Sequence, residues 1–187
     1  MPTSTPGVPQ TNGLAERMVR AVKEGARTNL AQAGLSSAWW PLASTHYCAA
    51  RNMAIHDGSS SYFKRHGVFC KVKQIPFGVI VEFMGVPMAS EQLSAFGNRA
   101  RPGLLLGYAM QPGGLWSGDY LVAGFDIFQE NPDAMPSEIQ VHRTKEVVEL
   151  NNVATFPVGK FRIKQESEVT GPEPNSLDRE SRSEFDL

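Results

Sequence analysis

Pro9-Gln10-Thr11-Asn12-Gly13-Leu14-Ala15-Glu16-Arg17 carries the chain from a proline-flanked turn into a helix, and the period that begins there decides how the first half folds. Leu14, Met18, Val22, Ala26 and Leu30 recur at every fourth position of an otherwise polar segment, which predicts one apolar stripe before Gly34 offers a stop. Residues 1–13 are rich in Pro, Thr and Gly and read as an extended arm, with Asn12 or Gly13 placed to cap the helix. Glu16, Arg20, Lys23 and Arg27 follow at steps of four, three and four, so they stack on one side of the helix, away from the stripe.

Outward from this helix, a second is expected from Ser36 or Ser37 to about Met53, burying Trp40, Ala43, Tyr47, Ala50 and Ala54, with Pro41 harmless in the first turn. Two helices cannot by themselves cover so large an apolar area, and a further layer is expected. From Gln74 the pattern changes to short β-like runs: Phe77–Met84, Leu104–Tyr108, Asp119–Phe128 and Ile139–Val148, separated by turn chemistry such as Pro112-Gly113-Gly114. They predict a small antiparallel barrel or sheet. Residues 165–187 hold seven acidic and two basic residues with little apolar content, and disorder is expected there.

The formal net charge of -1 conceals an uneven distribution. Residues 1–101 carry 11 Lys and Arg against 5 Asp and Glu, whereas residues 102–187 carry 7 against 14. A basic N-terminal half suits a polyanion partner, although a solvated surface explains the same charges. Cys48 and Cys70 lack paired spacing, and His46, His56, His66 and His142 fit no zinc pattern, so a reducing compartment without structural zinc is expected. The N-terminus lacks the basic start and apolar run of a secretory signal, and no long membrane span is present. The expected location is therefore intracellular, nuclear or cytoplasmic.

Two readings of the first helix stand side by side. Gln10, Thr11 and Asn12 can donate hydrogen bonds to phosphate or base edges at a helix start, with Arg20, Lys23 and Arg27 tracking the backbone. The same cations also serve as the wet face of an amphipathic helix, and Glu16 as a first-turn acid that complements the helix dipole. Cleavage or joining of phosphodiesters is helped by two divalent ions held between carboxylates. Glu16 has no acidic neighbour upstream, and Glu24 lies eight positions on, about 12 Å along the axis.

The segment Pro6-Gly7-Val8-Pro9-Gln10-Thr11-Asn12-Gly13-Leu14-Ala15-Glu16-Arg17 resembles the surroundings of the third catalytic acid in integrases of copia-type retrotransposons, with Glu16 at the acid. Ala26-Arg27, Leu30, Ala33-Gly34-Leu35, Trp39-Trp40, Arg51-Asn52 and Ser60-Ser61-Tyr62 through Gly67 continue in the family's order along the end of its RNase H-like core. Ile75-Pro76-Phe77-Gly78, Pro102-Gly103-Leu104-Leu105-Leu106-Gly107-Tyr108 and His142-Arg143-Thr144-Lys145-Glu146-Val147-Val148 are similar to the SH3-like domain that follows that core in the Pol polyprotein.

The resemblance implies an α+β chain: a two-helix remnant of an RNase H-like integrase core over residues 1–73, an SH3-like β-barrel over 74–150, and a linker with a disordered acidic tail over 151–187. It implies DNA integration by metal-dependent phosphoryl transfer, with Mg2+ or Mn2+ in the complete family enzyme. Glu16 would be the catalytic and metal-ligating residue, and Gln10, Thr11, Asn12, Arg20, Lys23 and Arg27 would bind DNA. The family's two catalytic Asp residues lie upstream of its acid, and this chain begins too late to contain them. The expectation is a catalytically incomplete nucleic-acid binder that holds no metal alone, with DNA, itself or upstream integrase segments as partners. The alternatives are a non-catalytic DNA-binding module, with Lys64, Arg65, Lys71 and Lys73 adding to the helix, and an interaction protein whose uncovered apolar face docks a partner.

Overall fold

A computed structural model describes residues 13–84, 100–149 and 153–170. Helix α1 (Gly13–Ala33) ends where the stripe predicts, at Gly34, whose φ of +71° closes the helix in the left-handed region. A 3-10 turn (Ser37–Trp39) leads into α2 (Trp40–Met53), which returns antiparallel to α1: Asn29 Nδ2 donates to the Ala43 carbonyl at 3.1 Å, and Gly25 lies under the Tyr47 ring.

The face of α2 differs from the expected one. Its buried residues are Ala43, His46, Ala49 and Met53, preceded by Trp39, while Trp40 is 61% exposed. Trp39 enters the core from the 3-10 turn, and beyond Ala43 the buried face of α2 lies one position earlier than expected. Trp39 is fully buried, lies 5.6 Å from the Phe128 ring, and donates its indole N–H to the Ala134 carbonyl at 3.0 Å.

After α3 (Ser61–His66), which Ser60 caps by accepting the Phe63 N–H at 3.0 Å, the chain builds an antiparallel sheet. Its strands are β1 (Ile80–Met84), β2 (Ala100–Met110), β3 (Trp116–Gly124), β4 (Val141–Thr144) and β5 (Val147–Glu149), in the order β4-β3-β2-β1-β5. The molecule is thus α+β, but the ladders do not close a barrel, because β4 and β5 occupy opposite edges. Only Lys145 and Glu146 separate those two strands, so Thr144 and Val147 lie at most about 11 Å apart. Four strand spacings in a flat sheet would need about 19 Å. The sheet is therefore strongly curled.

Four expected elements change in detail, the first being the run Ile139–Val148, which divides into β4 and β5 at opposite edges of the sheet. Strand β3 stops at Gly124, and Phe125–Glu130 forms helix α4, with Asp126 in its first turn and Phe128 turned to Trp39. Phe77 and Gly78 form a turn ahead of β1, with Gly78 pressed against Ala33. Residues 165–170, expected to be disordered, continue helix α5 (Pro157–Thr170), where Lys164 and Glu168 form an i,i+4 ion pair at 3.8 Å. The rest of the acidic tail, 171–187, lies outside the described residues.

The covering layer expected over the two helices is supplied in part by the sheet. One core joins Ala26, Leu30, Ala33, Trp39 and Ala43 to Leu104, Leu106, Ala123, Phe128 and Val158, crossing the position 73/74 where a domain boundary was expected. Among the described residues no helix is long and apolar enough to cross a membrane. In urea titrations Trp39→Ala should lower the unfolding free energy by about 3–5 kcal/mol, and Trp40→Ala by less than about 1 kcal/mol. Equal losses would mean that the phase of α2 is wrong.

Candidate nucleic-acid interface

Helix α1 is anchored by one half only. Ala26, Leu30 and Ala33 are buried, but Leu14, Met18 and Val19 are 74%, 45% and 54% exposed. Asn29 marks where the anchoring begins, since its amide also approaches His46 Nδ1 at 3.5 Å. The first half of the helix therefore stands clear of the described core.

On that free half Glu16, Arg20 and Lys23 are exposed, and Arg27 continues the row beside the anchored part. Together with Ala15, Val19 and Glu24 they line a shallow open furrow along the helix. By helical phase Ala15 and Val19 form its apolar wall, and Arg20, Lys23 and Arg27, with Glu16 and Glu24 among them, its charged wall. Among the described residues none of these three cations forms a hydrogen bond or an ion pair. Gln10, Thr11 and Asn12, the other expected DNA contacts, lie outside the described residues.

Among the described residues Glu24, two turns along the same helix, is the acid that shares the furrow with Glu16. Among the described residues no group of three or more His, Cys, Asp or Glu is placed to hold a metal ion. A site for two divalent ions needs several carboxylates, so the donor set around Glu16 does not fit that metal pair.

The other basic residues divide by environment. Lys73 is paired with Glu149 at 2.9 Å, and Lys64 and Lys71 are exposed. Arg65 lines a cleft of about 310 Å³ with Thr45, Cys48, Asn52, Tyr62 and His66, formed where α2 and α3 meet the hairpin turn between β2 and β3. Sequence reading missed this cleft, because its lining residues are distributed over segments that only folding brings together. The i, i+3, i+7 spacing of Thr45, Cys48 and Asn52 is its one local signal.

Another feature that sequence reading did not single out is a buried polar junction. His46 Nε2–H donates to the Ile75 carbonyl at 2.9 Å, and Nδ1 accepts from Asn29. The imidazole stacks on Tyr108 with centroids 5.1 Å apart. The Tyr108 hydroxyl donates to the same carbonyl at 3.1 Å and accepts the Ile75 N–H at 3.0 Å, while Tyr120 accepts the Lys73 N–H. These rings supply the partners that the irregular strand-like stretch before β1 cannot find in a ladder. Burial pushes the Tyr108 hydroxyl up to about 12 and holds the His46 pKa below its ordinary 6.5.

No protein-family model, curated protein sequence or solved structure matches this chain.

The junction has a pH signature. A depressed folded-state pKa means that His46 stabilises the fold as a neutral ring, a contribution complete above 6.5 and lost as the pH falls through the folded value. His142, lowered by burial and then by the Arg101 guanidinium, acts in the same sense. The unfolding free energy should therefore decline as the pH falls below about 6.5, and His46→Gln should flatten part of that decline. An unchanged profile in the variant would remove His46 from the account.

Proposed function

We propose that this chain is a nucleic-acid-binding, catalytically incomplete relative of the C-terminal part of copia-type retrotransposon integrases, with DNA as its partner. The observation that carries the reading is the exposed row on α1, Arg20 and Lys23 on its free half and Arg27 just beyond, which forms no hydrogen bond or ion pair among the described residues and begins in the segment with the most specific resemblance. A row of cations at helical spacing suits phosphates, whose binding releases condensed counterions. The curled five-stranded sheet accords with an SH3-like module after the helices. Glu16 stands where the family holds its third metal-ligating acid, and among the described residues no cluster of acids joins it to hold a metal pair. Its remaining role is that of a first-turn carboxylate favoured by the helix dipole.

A second reading, a non-catalytic interaction module, is favoured by the exposure of Leu14, Met18 and Val19. Concentration-dependent light scattering separates the two, since docking through that stripe would give self-association in the absence of DNA.

Duplex DNA binding, measured by fluorescence anisotropy against salt, should weaken steeply as salt rises. Joint replacement of Arg20, Lys23 and Arg27 by Ala should reduce the log–log salt slope by about 2–3. A slope that the triple variant leaves unchanged would remove α1 from the interface. In a Mg2+- or Mn2+-dependent nicking and joining assay the chain and its Glu16→Gln variant should be equally inactive. Robust activity abolished by Glu16→Gln would overturn the catalytic half of the proposal.

A further inference from the structure

Resting on the reading of α1 as a polyanion-facing helix, we infer that the acidic C-terminal segment 171–187 of this same chain occupies the furrow on α1 and competes there with nucleic acid. Three observations lead to this occupant. The first is charge. Residues 171–187 carry Glu173, Asp178, Glu180, Glu184 and Asp186 against Arg179 and Arg182, while the furrow carries Arg20, Lys23 and Arg27 against Glu16 and Glu24, so the two surfaces keep opposite net sign. Opposite charges that remain near the surface attract within a Debye length and lose that attraction as salt rises.

The second is the mixed chemistry of both surfaces. The furrow sets Ala15 and Val19 beside its cations. The end of the chain, Ser183-Glu184-Phe185-Asp186-Leu187, alternates acids with large apolar residues. In an extended backbone that alternation puts Phe185 and Leu187 on one side and Glu184 and Asp186 on the other, so one edge meets the apolar wall and the other the cations of the charged wall. Nucleic acid offers the furrow phosphates; the tail offers carboxylates together with an apolar filling for Val19.

The third is reach. Helix α5 starts against the far end of α1, where a side chain on Gly34 would collide with the Gly159 backbone. From Ala33 back to Leu14 the helix is about 28 Å long, and from Gly159 to Thr170 α5 is about 16 Å long. Even if the two helices diverge along one line, the 17 residues beyond Thr170 span about 55–60 Å when extended and reach the furrow. Tethering makes the competition intramolecular, so modest contacts suffice to compete with DNA.

The test uses the full chain and a variant in which the tail is neutralised: Glu173→Gln, Asp178→Asn, Glu180→Gln, Glu184→Gln and Asp186→Asn. Carbodiimide, which joins a carboxylate to an amine without a spacer, should couple Lys23 to tail carboxylates within the monomer band, and high salt should suppress the product. The neutralised chain should bind a labelled DNA duplex at least about 5-fold more tightly. Tail cross-links confined to other lysines, or an unchanged affinity beside measurable DNA binding, would overturn the inference and leave the DNA reading standing. Cross-links found only in a dimer band would assign the furrow to the tail of a second copy and overturn it equally. If neither chain binds DNA, the functional reading fails, and the Lys23 cross-link alone still decides whether the tail lies on α1.

Discussion

Strand β2 is buried on both faces, and the remainder of the fold follows from that constraint. Leu104 and Leu106 enter the core shared with α1 and Trp39, whereas Leu105 faces a second cluster with Val79, Val81 and Phe83. Simple alternation would then send Tyr108 to the helix side. A bulge between Leu105 and Gly107 re-aims it, and Gly107, at φ +152°, adopts a backbone that side-chain-bearing residues rarely take. Tyr108 thereby joins the second cluster and reaches the Ile75 peptide with its hydroxyl.

From that peptide the connection passes to the helices. The Ile75 carbonyl accepts from both Tyr108 and His46, and His46 in turn takes the Asn29 amide, so α1, α2, an irregular segment and β2 meet around one residue's backbone. A buried carbonyl without donors would cost about 1–3 kcal/mol, so the network favours one arrangement of helices on sheet. The His46 ring must remain neutral to keep it, because an imidazolium would turn a second donor toward the Asn29 amide.

Anchoring α1 at Asn29 and beyond leaves its first half to other uses. A helix is stiff over such lengths, so the packed half holds the exposed half in a defined direction while its side chains stay accessible. Among the described residues Arg20, Lys23 and Arg27 form no close ion pair, although Glu16 and Glu24 lie along the same furrow, in contrast to Lys73, Arg143 and Arg162, which are paired with Glu149, Asp119 and Asp133. Within the proposed function, this asymmetry separates the cations that hold the molecule together from those left for a polyanion, whether nucleic acid or the acidic tail.

Local pattern alone was enough for helix α1, its end at Gly34, the arrival of β structure after Gln74 and the row from Glu16 to Arg27, because each rests on a short-range period or a glycine conformation. It did not determine which tryptophan of the Trp39-Trp40 pair is buried, where β3 gives way to α4, or that Thr45, Cys48, Arg65 and His66 share a cleft. Those outcomes turn on which surface each element meets. Trp39 is selected by Phe128 and the Ala134 carbonyl, ninety-five positions away, and the cleft by the hairpin turn that approaches α2 and α3 from a distant part of the chain. Periodicity specifies that a face is apolar, but a neighbour remote in sequence specifies which face, so tertiary packing decided what the local pattern left open.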